Sequence, residues 1–98
     1  MKILLVCSAG MSTSLLTNSM RKFSPEDTID AVPYSEMDEV VADYDVVLLG
    51  PQIKFRLKEA SAKIAPKPVA VVDMRAYGTM DGPTVIGQAK TLLASAAS

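Results

Sequence analysis

K-I-L-L-V-C-S-A-G-M-S-T-S, Lys2 to Ser14, is the stretch from which the rest of the chain is read. Its first half is a continuous apolar run, too short for a core helix and closed by small turn residues. That is the pattern of a parallel strand buried on both faces. Its second half, Cys7 to Ser14, holds one glycine, four hydroxyl residues and no charged side chain. Helical spacing follows at once, with Leu16, Met20 and Phe23 at i, i+4 and i+7. A strand that passes through such a turn into a helix is the opening of a β-α-β unit.

The pattern repeats outward. Asp45 to Gly50 (D-V-V-L-L-G) and Pro68 to Asp73 (P-V-A-V-V-D) are further short apolar runs, and Thr28 to Val32 alternates, with Ile29 and Ala31 on one side, as an edge strand does. Ile53, Leu57, Ala60 and Ile64 predict a helix between the later strands. Val85, Ile86, Ala89, Leu92, Leu93 and Ala96 predict a final helix started by Asp81, Gly82 and Pro83. Met37, Val40, Val41 and Tyr44 predict a short helix capped by Ser35, with Asp38 three residues on. The fold class expected is α/β: one domain over residues 1–98 with a small open doubly wound parallel sheet of about four strands, order 2-1-3-4, and helices on both faces. The turns after Val6 and Leu49 then lie side by side, where the winding direction reverses and ligand sites of such sheets form.

Composition narrows the chemistry. With 49% hydrophobic and 21% charged residues the chain reads as a globular domain, and a net charge of -1 gives no footprint for nucleic acid or an anionic membrane. The run Ile3 to Val6 is too short for a secretory or spanning segment, so a cytoplasmic protein without direct membrane insertion is expected. One cysteine and no histidine exclude an internal disulfide, a CxxC pair, a thiolate-imidazole metal site and any Ser-His or Cys-His catalytic pair. No metal is expected.

Successive backbone N–H groups in a turn that enters a helix form an anion-binding nest, and the helix dipole favours negative charge there. The segment Ser8, Ala9, Gly10, Met11, Ser12, Thr13 and Ser14 is suited to holding a phosphate. Gly10 allows a positive φ or close backbone approach, and Ser8, Ser12, Thr13 and Ser14 add hydroxyl donors or cap the helix. Cys7, at the base of the nest, would have its thiolate stabilised by the same donors. Lone cysteines are often plain core residues; the position of Cys7 at a strand end where a nest begins favours a nucleophile.

These residues also carry a likeness. K-I-L-L-V-C-S-A-G-M-S-T-S-L-L resembles the phosphorylation loop of the IIB components of the lactose/cellobiose/chitobiose phosphotransferase family, in which the cysteine after the first strand accepts a phosphoryl group. The match continues in V-V-L-L-G-P-Q-I (Val46 to Ile53), K-P-V-A-V-V-D (Lys67 to Asp73) and Y-G-T-M-D-G (Tyr77 to Gly82), and lapses between Phe23 and Tyr44, where this chain is shorter. The resemblance implies a fold similar to the low-molecular-weight tyrosine phosphatases and a phosphocysteine at Cys7. It implies a phosphorylated IIA protein as donor, a membrane IIC permease that presents the sugar, and no cofactor. The sugar would be a β-linked disaccharide such as cellobiose, lactose or chitobiose. Gln52 at the mouth could orient a phosphate oxygen, while Tyr77, Gly78 and Asp81 could line the rim, Asp81 being equally a helix cap. Met11 and Met80 are candidate interface residues.

Rival readings fail on named positions. A low-molecular-weight tyrosine phosphatase needs C-x5-R, and the sixth residue after Cys7 is Thr13, so the arginine that would clamp phosphate is missing. An arsenate reductase would need further cysteines. A flavodoxin-like FMN module would want aromatic stacking, and the chain has no tryptophan and three tyrosines. A receiver domain would want acidic residues where Cys7, Ser8, Gly50 and Pro51 stand.

Overall fold

The structure, a computed structural model, describes residues 1–7 and 11–97. Strands β1 (Lys2–Cys7), β2 (Thr28–Pro33), β3 (Val46–Leu49) and β4 (Val69–Val71) form one open parallel sheet in the order β2-β1-β3-β4. Central strands face side chains on both surfaces, which is why β1 and β3 are apolar without alternation. Ile3 to Cys7 and Val46 to Leu49 are all buried. The edge strand β2 keeps the alternation read from its sequence, with Ile29 and Ala31 turned to one layer and Val32 to the other.

The connections contain helices α1 (Met11–Phe23), α2 (Met37–Val40), α3 (Leu57–Ile64), α4 (Met74–Gly78) and α5 (Gly82–Ala97). Side chains of successive residues point to opposite faces of a strand, so β1 and β3 feed two cores at once. Ile3, Leu5, Val46 and Leu48 pack with Leu16 and Met20 of α1, Tyr77 of α4, and Val85, Ile86 and Ala89 of α5. Leu4, Val6, Val47 and Leu49 pack with Met37, Ile53, Ala60 and Ile64 on the other face.

Four local expectations are corrected. Helix α1 begins at Met11, so Ser12, Thr13 and Ser14 belong to its first turn and not to the loop before it. First-turn N–H groups have no intrahelical acceptor, and hydroxyl residues are tolerated there as well as in a turn. The segment assigned to a helix capped by Ser35 is a 3-10 turn (Tyr34–Glu36), the single turn of α2, and a second 3-10 turn (Val41–Asp43). No side chain caps α2, whose N-cap position is Glu36. Pro33 sets the entry angle, and the adjacent β-branched Val40 and Val41 favour no longer helix. The periodic run from Ile53 starts as a 3-10 segment (Pro51–Arg56) interrupted at Ile53 (φ −118, ψ 27), with α3 only from Leu57. Helix α4 had no counterpart in the sequence reading.

Candidate active site

Cys7 closes the central strand β1, and its free thiol-bearing side chain is 5% exposed. Two neighbours flank it across the sheet. Pro33 stands opposite on β2. On the other side Gly50 N donates to Val6 O at 2.7 Å, which extends the ladder one residue beyond Leu49 and brings Gly50 against Cys7. Gly50 has an ordinary φ of −62. What it supplies is space: a Cβ there would lie 2.9 Å from Gln52 Oε1 and 3.6 Å from Cys7 Cβ.

Beyond Gly50 the chain turns sharply. Ile53 N donates to Gly50 O at 3.0 Å, and the turn folds the Gln52 side chain back over Gly50. Gln52 Nε2 donates to the Tyr77 hydroxyl at 3.2 Å. Tyr77 comes from α4, whose first turn is held by Asp73: its Oδ1 accepts from Ala76 N at 3.0 Å. Val72 N donates to Leu49 O at 2.8 Å, so the chain leaving β4 is tied to the end of β3. The connections that leave β3 and β4 therefore meet through Gln52 and Tyr77 beside the end of β1.

Of the residues expected in the site, Cys7, Gln52 and Tyr77 are brought together. Ser8, Ala9 and Gly10 lie outside the described residues. Met11, Ser12 and Thr13 open α1 and Ser14 is exposed on its first turn. Asp81 caps α5: its Oδ1 accepts from Thr84 N at 3.2 Å and its Oδ2 from Thr84 Oγ1 at 2.7 Å. Met80, at a left-handed φ of 54, packs against the core layer of α1 and α5. Gly50 was not singled out from sequence, although a glycine-proline pair directly after an apolar strand is a signal for close approach. Nor were the exposed side chains of Phe55 (73%) and Met74 (65%), which follow β3 and β4 at this end of the sheet, or Leu15 (58%) early in α1.

Cys7 thus ends β1 beside Gly50, over which the Gln52 side chain folds on its way to Tyr77, while the Asp81 carboxylate is engaged as the cap of α5. Comparison with known proteins gives the family. The family model for the lactose/cellobiose-specific IIB subunit of the PTS system matches residues 2–88. The oligo-beta-mannoside-specific EIIB component of Bacillus subtilis (strain 168) is 42% identical, over 94% of this chain and 95% of its own length. The galactose-specific EIIB component of Lactococcus lactis subsp. cremoris (strain MG1363) is 39% identical, over 93% of this chain and 94% of its own. The solution structure of the cellobiose-specific phosphotransferase IIB component of Borrelia burgdorferi superposes with a TM-score of 0.78 at 38% identity, over 97% of this chain and 93% of that one. The chain therefore belongs to the lactose/cellobiose-specific IIB family of the sugar-transport phosphotransferase system, and is a phosphotransferase.

Proposed function

We propose that Cys7 carries the phosphoryl group, taking it from a phosphohistidine of a IIA protein and passing it to a sugar held by a membrane IIC permease. The observation that supports this most directly is the position of the chain's one cysteine at the end of the central strand, immediately before the turn into α1. In the first step the Cys7 thiolate attacks phosphorus, an S–P bond forms, and the N–P bond of the donor breaks with its electron pair left on the imidazole. In the second the sugar hydroxyl attacks, the S–P bond breaks, the thiolate is restored and the hydroxyl proton leaves. Such transfers depend mainly on positioning and charge stabilisation. The first N–H groups of α1, which have no intrahelical acceptor, are suited to supply both.

The same domain serves two partners in turn, at one face. Leu15, Phe55 and Met74, all more than half exposed, give that end of the sheet apolar surface for a protein to cover. The chain acts in the cytoplasm and meets the membrane through IIC; no described helix is long and apolar enough to cross a bilayer. The sugar is a β-linked disaccharide of the cellobiose, lactose or chitobiose kind. The test is a chase. The chain, radiolabelled on phosphorus by a phosphorylated IIA protein and isolated, should keep its label in buffer and lose it to sugar when membranes bearing the cognate IIC and its sugar are added. Release of the label as inorganic phosphate at the same rate with and without those membranes would overturn the carrier reading.

A further inference from the structure

The Gln52 amide is held at its nitrogen end. Nε2 donates to the Tyr77 hydroxyl at 3.2 Å, and Oε1 is turned to the side of Gly50 that faces Cys7, 2.9 Å from where a Gly50 Cβ would stand. In the free thiol state the oxygen is thus the end of the amide on the side of Gly50 where Cys7 also lies. A phosphoryl group on Sγ brings three more acceptor oxygens to that side, and acceptor facing acceptor is repulsive. The terminal torsion of a glutamine is soft and roughly two-fold. A half-turn puts the NH₂ group toward Cys7 and Oε1 toward Tyr77, whose hydroxyl can donate as readily as it accepts. Tyr77 is 8% exposed and fixed in the core, whereas Gln52 is exposed and can turn without repacking.

We infer that Gln52 is a phosphate-binding residue that reverses its amide when Cys7 is phosphorylated, with Tyr77 the positioning residue that holds it in both states. This rests on the reading of Cys7 as the phosphoryl carrier. In the thiol state Gln52 donates to Tyr77; in the phosphocysteine state Tyr77 donates to Gln52, and Gln52 donates a charge-assisted hydrogen bond to a phosphoryl oxygen. A methyl group at Gly50 would stand 2.9 Å from Gln52 Oε1, the far end of a flexible side chain, and would displace that oxygen without disturbing the backbone. The amide thereby favours the phosphorylated product over the thiol, and shifts the equilibrium of the transfer as well as its rate.

The experiment uses the whole chain labelled with nitrogen-15 and a phosphorylated IIA protein as donor, with intact mass to score occupancy. On phosphorylation the side-chain amide signals of Gln52 should shift, with one proton moving downfield and coupling to phosphorus, while those of Gln88 stay in place. Gln52→Leu should lower the equilibrium constant for transfer to Cys7 about tenfold, the scale of one hydrogen bond to a charged group. Gln52→Glu should lower it further, since a carboxylate there can only accept and repels the phosphoryl charge. Tyr77→Phe, which leaves the glutamine in the sequence and removes the hydroxyl that positions it, should shrink the chemical-shift change. A phosphorylated chain with an unmoved Gln52 amide, or a Gln52→Leu chain that reaches the wild-type equilibrium, overturns this inference alone. A chain that takes no phosphoryl group on Cys7 overturns it together with the carrier reading.

Discussion

Tyr44 and Asp30 show how single side chains lock the part of the chain in which the sequence motifs lapse. Tyr44 donates to Asp30 Oδ2 at 2.6 Å, Arg21 Nε donates to Ile29 O at 2.8 Å, and Arg21 pairs with Asp30 Oδ1 at 3.1 Å. The three residues tie α1 and β2 to the start of β3. The hydrogen bond to Asp30, then burial, then the charges of Asp30 and Asp43 push the Tyr44 phenol up to about 12. Because the folded value lies above the ordinary one of about 10, the protonated phenol contributes stability that is fully present below about pH 10 and lost as pH rises toward 12. Tyr44→Phe should cost about 1 kcal/mol at neutral pH and flatten the fall in stability across that alkaline window, read from urea unfolding at a series of pH values. An unchanged alkaline slope would contradict the assignment. Asp27 runs the other way. Its carboxylate, held low by the Ser24 hydroxyl and then by the Met1 ammonium, stabilises above its ordinary value and loses that contribution as pH falls through its lowered one. The Tyr44–Asp30 and Met1–Asp27 pairs were not legible in sequence, because they join residues whose proximity the sheet creates; the Ser24–Asp27 contact is local to one turn.

Helix pairs show the same limit at the next scale. Gly82 lies where α5 begins against α1, and its N–H donates to Ser19 Oγ at 3.1 Å. A Cβ there would come within 2.6 Å of Met20 N, Ser19 C and Ser19 Oγ. Two of these are backbone atoms in a helix interior and cannot yield. Gly82→Ala should therefore destabilise the chain by about 3 kcal/mol or more through forced separation of α1 and α5, measured by denaturant unfolding. A loss within about 0.5 kcal/mol, the range of a neutral surface change, would show that the two helices slide freely. From sequence Gly82 had seemed only part of a helix start, which it also is. Elements buried on both faces, such as β1 and β3, were legible because their environment forces one residue class on every position. Long amphipathic helices were legible from their period. The short helix at Met37 was legible from Met37 and Val40 but not its single-turn length or its cap, and the five residues of α4 carry too few positions for a period to show, the only sign of it being the cap at Asp73.

Across the whole molecule the sheet order decides what can act together. Because β1 and β3 are central neighbours with β4 beyond, Cys7 at the end of β1, the bend at Gly50 and the start of α4 share one end, while Phe23 stays at the other. The adjacency of Cys7 to a hydroxyl-rich segment is visible in the sequence; the meeting of Gln52 with Tyr77 needed the fold. A hydrolase built on this frame would need an arginine to draw in a phosphate dianion and to neutralise its oxygens as the S–P bond breaks toward water. The chain has Thr13 at that place. Amide groups and hydroxyls hold a phosphoryl group without that clamp, and a carrier requires such a delay between loading and delivery. The claim on which everything else depends is that the phosphoryl group resides on Cys7. Intact-mass analysis and peptide mapping after incubation with a phosphorylated IIA protein test it most directly: wild type should gain one phosphoryl group, mapped to the peptide containing Cys7, and Cys7→Ser should gain none, whereas phosphate on another residue, or loading of the serine variant at the wild-type rate, would contradict it.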